Sequence, residues 1–541
     1  MNKPLSSVLF ALAFALAGCA GTPTRPTGWA QPETLVAPSS FAGVHGLAID
    51  AKGRLLAGSV AGSSMWLVDR QTGAARVFIP PQEGQADDIA IGPKGELAWT
   101  SFLQGVLHYR ENDDAPIRVL AKDLPGINSL DFDRRNGKLY ASQVFLGDAL
   151  WEIDVTGAKP PRPIAKGMGG FNGFEVGPDG MLYGPLWFKH QVVKIDPANG
   201  AITVINSEFR TPAAANLDGK GNLWVVDAVT GELSRVELAT GKKTVAKTLK
   251  PALDNLAIAP DGTIYISNMA DNSVEAFDPA TGAVRVLTSG QLPFPGGLRI
   301  EGDRMWVAAL FAFREVDLKT GNVSDLKRMW SSDIEYPMGV GVSPQHLVLT
   351  SWFTGTVQQV ERGTLKTVAM GHGFKAPVDA IPMPDGSILV AEMATGSILR
   401  VSGPELKQRE PVAQGLKTPL QMTMGKDGAL YVTEAAGTLT RVNLADGTKT
   451  VVASGLAMPK GIAQTPWGTF IVLEAAAKRL TEIDPATGAK RSVAENLPVG
   501  MPSAPGMPPI GMITGVAVDA QGNVYASADL NNAVYKVRPQ R

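Results

Sequence analysis

From about residue 43 to the C-terminus the chain repeats one pattern of apolar and polar positions about a dozen times. Its clearest form spans residues 172–205, NGFEVGPDGMLYGPLWFKHQVVKIDPANGAITVI. A short apolar run leads into a P-D-G turn, two alternating strands follow, and a D-P-x-x-G turn opens a fourth. Strict alternation predicts strands with one face buried. In the second turn Asp accepts hydrogen bonds from its own loop, Pro presets φ and Gly supplies a positive φ. The turn recurs at 69–73, 196–200, 278–282 and 484–488. Four short strands on a period of roughly 40 residues are the sequence form of a β-propeller blade.

The predicted inner strands start near His45, Asp87, Asn128, Asn172, Ala213, Asp254, Gly296, Met338, Val378, Leu420, Lys460 and Thr514. Twelve blades exceed the four to eight of an ordinary ring. The expected fold is therefore all-β, two six-bladed β-propellers. The last repeat stops at its third strand, and residues 33–37 stand alone before the first, so pairing them would remove an open edge. That closure favours one ring from 33–251 plus 512–541 and a second from 252–511, with the Pro-rich stretch 498–509 as a crossover. The alternative is a serial split into 33–293 and 294–541.

The composition agrees: 44% hydrophobic residues and 59 glycines suit a turn-rich β protein of 541 residues. A net charge of −1 gives no electrostatic case for nucleic acid. Residues 1–19 have the form of a secretory signal, and 16–19, LAGC, resemble a bacterial lipobox. That resemblance implies lipid attachment at Cys19, the sole cysteine, a short tether over 20–32, and a cell-envelope location, with Ala20 similar to outer-membrane sorting. The expected partners are the membrane through that lipid and a small molecule or an envelope protein, peptide or glycan.

Inner-strand starts and the loops after each second strand open on one face of a propeller, where sites usually lie. In the first half they offer His45, Asp87, Asn128, Asn172 and Asp227, with Asp88 and His190 nearby. An oxygen-rich set of this kind suits a hard cation such as Ca²⁺, with Mg²⁺, Mn²⁺ or Zn²⁺ as alternatives. Asn128, Asn172 and Asp87 are the expected ligands. Asp87, Asp227 and His45 are the candidates for acid–base chemistry. In the second half Glu392, Glu434 and Glu474 occupy the same position of three successive blades and predict an acidic mouth. Trp187, Phe188 and Trp352 read either as a stacking platform or as packing between blades. Met501, Met507 and Met512 read as part of a connector, with a soft-metal set as the other reading.

The phrase N-G-x-x-x-x-P-D-G-x-L-Y at 172–183 resembles the regucalcin/gluconolactonase family of the SGL/NHL-type propellers. The resemblance implies a divalent-cation-dependent hydrolase of lactones or cyclic esters. Asn128 and Asn172 match the family's two asparagine ligands, while His45 and Ala213 stand where it has Glu and Asp. Residues 352–354 (WFT) and 432–434 (VTE) resemble pieces of the W-F-T-E phrase of streptogramin (virginiamycin B) lyases. That resemblance implies Mg²⁺-dependent elimination at the second mouth. A third reading is a non-catalytic scaffold that binds a partner.

Overall fold

The computed structural model describes residues 24–502 and 513–541. The expected signal segment with Cys19, and Met507 and Met512 with most of the 498–509 stretch, lie outside the described residues. The described chain forms twelve four-stranded antiparallel sheets and one two-stranded pair. This is a propeller arrangement, and the sequence dictates it locally. At 196–200, for example, Ala198 N–H donates to Asp196 Oδ1 at 2.8 Å and Gly200 N–H to Asp196 O at 2.7 Å. Gly200 sits at φ 75°, where an L side chain is strained.

The inner strands define who neighbours whom. Val44–Ile49 packs on Ala86–Ile91, then Ile127–Asp133, Glu175–Val176, Pro212–Leu217 and Leu253–Ile258 follow, and the last returns to Val44–Ile49. A second circuit runs through Pro295–Glu301, Gly339–Val342, Pro377–Pro382, Pro419–Met424, Pro459–Gln464 and Val516–Val518, which meets Pro295–Glu301 again. Glu33–Val36 pairs with Ala533–Val537, so the N-terminal strand completes the last sheet.

These contacts correct the favoured division. The closing sheet, built from Glu33–Val36 and Val516–Val537 strands, belongs with the second circuit, and the 253–288 sheet belongs with the first. The reason is physical: Asp88 Oδ1 accepts from Asn255 Nδ2 at 3.1 Å, and Gly43 N–H donates to Asn272 Oδ1 at 2.8 Å. Both bonds tie the sixth sheet to the start of the first circuit. The sheets on either side of the 498–509 stretch, with Lys490–Ala494 and Val516–Val518, belong to the same circuit, so the expected crossover does not fall there. The expected tether is also partly docked: Gly28–Trp29 pairs with Pro539–Gln540, and Arg25 reaches buried Glu482 at 2.9 Å.

Adjacent blades are sewn by carboxylates on the inner strands. Val176 N–H donates to Asp131 at 2.7 Å, Leu217 N–H to Glu175 at 2.7 Å and Met422 N–H to Asp379 at 2.9 Å. The circuits meet along a buried ion network. Asp271 of the first accepts from Arg314 at 2.8 Å and Arg328 at 2.6 Å of the second, and Arg328 also donates to Pro251 O at 2.9 Å.

Candidate active site between the two circuits

In five blades the second strand ends with a side chain that binds the loop entering its own inner strand. Ser59 accepts from Ala42 N–H at 2.8 Å, Asp227 from Arg210 N–H at 2.7 Å, Glu392 from Lys375 N–H at 2.8 Å and Glu474 from Ala457 N–H at 2.6 Å. Glu434 does the same with Lys417 N–H. In each case the two residues are 17 apart. This recurrence separates folding roles from chemical ones.

Asp227 is accordingly corrected from a catalytic candidate to a loop clamp. It is fully buried, and its carboxylate also accepts from the N–H groups of Thr211, Val229 and Thr230 at 2.8, 3.1 and 3.0 Å. The expected acidic mouth dissolves for the same reason. Glu392 takes a further bond from Thr395, Glu434 from Thr438, and Glu474 pairs with Arg479 at 2.7 Å. Each of the three carboxylates is held by donors of its own blade. Asp88 is likewise built into the channel wall, bonded by Ile89 N–H and Asn255. His190 caps a short 3₁₀ turn and is exposed.

What remains converges. His45, Asp87, Asn128 and Asn172 line one cavity of about 220 Å³ at the mouth of the first circuit, together with Asp254. His45 Nδ1 lies 3.3 Å from Asp87 Oδ1 and 3.2 Å from Asp254 Oδ2. His45 Nε2 is buried with no hydrogen-bond partner among the described residues. Burial pulls the imidazole pKa down, but the Asp254 carboxylate, and then Asp87, outweigh it and leave it raised. Burial pushes Asp87 up to about 7, against the pull of His45.

Asn128 and Asn172 are 7% and 6% exposed, and both turn their Oδ1 toward Ser129 Oγ, at 2.8 and 3.1 Å. Ser129 Oγ also accepts Gly173 N–H at 2.7 Å. A hydroxyl has one proton, so only one asparagine oxygen receives it. The nearer, Asn128, then directs its amide N–H₂ away from Ser129. With the Asn172 amide assigned the other way round from the Oδ1 contact above, it donates to Oγ and frees its oxygen, which satisfies the network. Beside His45 the cavity thus carries one amide donor and one amide acceptor.

The rest of the wall is aromatic, and it comes from both circuits. Phe102, Phe145 and Trp187 belong to the first; Phe311, Trp330, Tyr336, Trp352 and Phe353 belong to the second. Their rings touch in an unbroken series. Phe102–Phe145 centroids lie 6.2 Å apart, Phe145–Trp187 5.3 Å, Trp187–Trp330 6.3 Å, Trp330–Tyr336 6.2 Å, Tyr336–Phe353 5.2 Å and Phe353–Trp352 6.0 Å. Phe311 stands edge-on to His45 at 5.7 Å. The approach is close enough to need glycine: at Gly43, φ 72°, a Cβ would lie 2.5 Å from the Phe311 ring. Burial, then the charges of Asp87 and Asp254, raise the Tyr336 hydroxyl pKa, which places this second-circuit phenol in the field of the carboxylates.

Asp254 and the second-circuit aromatics other than Trp352 were not among the expected site residues. Asp254 stands at an inner-strand start like the others, and only its placement in the other ring hid it. Trp330 and Tyr336 lie on the connection between Val323–Arg328 and Gly339–Val342, which no repeat position marks. Trp187 and Trp352 line the cavity; Phe188 is exposed and packs on Phe145 at 5.6 Å.

The donors at this mouth do not fit the implied divalent cation. Asp87 and Asp254 both address His45 Nδ1, Asn128 Oδ1 accepts from Ser129, and Ala213 has no donor, which leaves one asparagine oxygen for a cation. Among the described residues no group of three or more His, Cys, Asp or Glu side chains is disposed to hold a metal. No helix of the described residues is long and apolar enough to cross a membrane.

No protein-family model and no characterised protein sequence matches the chain. Solved structures with related backbones include virginiamycin B lyase from Staphylococcus aureus, 14% identical over 60% of this chain and 94% of that one, with a TM-score of 0.32. A streptogramin B lyase is 14% identical over 60% and 93%, at 0.26. The extracellular domain of a B. thetaiotaomicron protein described as a one-component system is 11% identical over 94% and 83%, at 0.33. At these scores the likenesses carry no argument about chemistry.

Proposed function

We propose that this chain is an exported acid–base hydrolase of small lactones or cyclic esters. In this reading two six-bladed propellers, 44–288 and 295–537 with 33–36, enclose the site, and a lipid on Cys19 holds the protein at the cell envelope. The observation that carries the reading is His45, held at Nδ1 by two carboxylates and unpartnered at Nε2, on the wall of a largely aromatic chamber. An imidazole held so keeps its proton on Nδ1 and offers Nε2 as a base. His45 Nε2 would take a proton from water as the water attacks the ester carbonyl. Asp87 and Asp254 would stabilise the imidazolium so formed. The Asn128 amide would hold the carbonyl oxygen as its charge grows.

The test is acid release from a panel of lactones and cyclic esters by the mature protein and by His45→Gln. General-base catalysis contributes about 10²–10⁴-fold, so His45→Gln should lose at least about a hundredfold in kcat. Unchanged turnover in that variant, or no turnover of any ester by the native chain, overturns the reading. A lyase centred on Glu392, Glu434 and Glu474 lacks comparable support, because those carboxylates hold loops. The aromatic wall favours a second reading, ligand capture without catalysis.

A further inference from the structure

We infer that the chamber selects small organic cations, ligands whose ammonium head sits among the aromatic rings facing Asp87 and Asp254. The inference shares the chamber with the proposed hydrolase but not its chemistry, and it holds whether or not a bond is broken.

Charge balance is the first argument. Two carboxylates, Asp87 and Asp254, line the chamber, and His45 is the one basic side chain among its lining residues; no Lys or Arg lies on that wall. His45 brings at most one positive charge against two negative ones. Leaving the second carboxylate ionised in an apolar enclosure is costly. Burial accordingly holds Asp87 up to about 7, so that without a cation its carboxyl is partly protonated near neutral pH; a monocation supplied by the ligand favours the charged form, and a neutral ligand does not.

The shape of the wall is the second argument. Eight aromatic side chains line the chamber, three of them tryptophans. Aromatic faces attract cations within about 6 Å of the ring centre, tryptophan most strongly, and the attraction grows when water is excluded. Around a ligand only a few ångströms wide, several rings act at once. At about 30 Å³ per water, the cavity holds roughly seven waters, enough for a trimethylammonium head and a short chain. The partly buried amides of Asn128 and Asn172 give that chain a donor and an acceptor.

The experiment compares two probes of the same shape and different charge, choline and 3,3-dimethylbutan-1-ol. Binding to the full mature protein is read by calorimetry and by the fluorescence of Trp187, Trp330 and Trp352. Choline should bind at least tenfold more tightly than the neutral alcohol. Asp254→Asn, which keeps an acceptor for His45 Nδ1, should abolish that preference while leaving the alcohol's affinity within about twofold. Trp330→Leu should weaken choline more than the alcohol. Equal binding of both probes, binding of neither, or an unchanged preference in both variants overturns the inference. Because the readout is binding, failure to hydrolyse esters leaves this inference standing, and loss of the preference leaves hydrolysis standing.

Discussion

Replacing Asp227 with Asn separates a folding role from a catalytic one. The native carboxylate accepts four backbone N–H groups, those of Arg210 and Thr211 on one oxygen and of Val229 and Thr230 on the other. An amide can serve one of these pairs through its oxygen. Its N–H₂ then faces the other pair, leaving two donors unmet in a fully buried place. Each unmet donor costs about 1–3 kcal/mol, so the loss is about 2–6 kcal/mol. For a unit of this size each kcal/mol moves the melting midpoint by about 2–4 °C, and a fall of roughly 10 °C is expected. Circular dichroism melts read the shift, and turnover or ligand binding below the transition reads the chemistry. Asp227 does not line the chamber, so both should persist at native levels in the folded fraction. A native-like melt with lost turnover or binding would refute the assignment and return Asp227 to the active site.

The same clamp predicts that Glu392→Ala, Glu434→Ala and Glu474→Ala each lower the melting midpoint, with nearly additive effects in combination because each acts within its own blade. Strong coupling between them would instead point to a shared acidic centre. Burial holds Glu175 up to about 7 and Asp131 up to about 6, with the Asp131 charge a second cause at Glu175. A carboxyl raised by folding stabilises the fold below its ordinary pKa and loses that contribution as pH rises through the folded value. Stability should therefore fall between about pH 4 and 7, and Glu175→Gln should flatten the fall; a rise over that range contradicts the assignment. Because the mouth donors do not fit a divalent cation, melts in EDTA and with Ca²⁺, Mg²⁺, Mn²⁺ or Zn²⁺ should coincide. An upward shift with one ion, lost in Asn172→Ala, would restore the metal reading.

The blades were legible because each turn carries its own chemistry, as at 196–200, where Asp, Pro and Gly alone specify the bend. The closure of Glu33–Val36 on Ala533–Val537 was legible from an unpaired strand at each end of the chain. Which blades share a ring was not, because the repeat phrase is the same in both circuits. The decision rests on single long-range bonds, such as Asn255 to Asp88 and Asn272 to Gly43. His45, Asp87, Asn128 and Asn172 were legible as mouth positions by register. Asp227 and the three glutamates shared that polarity, and only the fixed 17-residue spacing to a loop N–H tells the clamps apart. The aromatic roof had no repeat position to announce it. It exists because the second circuit is docked over the first by Arg314, Arg328 and Asp271.

The central claim is an aromatic chamber between the two circuits, and xenon tests it without knowledge of the ligand. Apolar cavities that exclude water take up xenon. A crystal of the mature protein pressurised with xenon should show an anomalous peak bounded by Phe145, Trp187, Phe311 and Trp330, within reach of His45. An empty chamber under pressure, or Trp187 and Trp330 apart with solvent between them, would contradict the account.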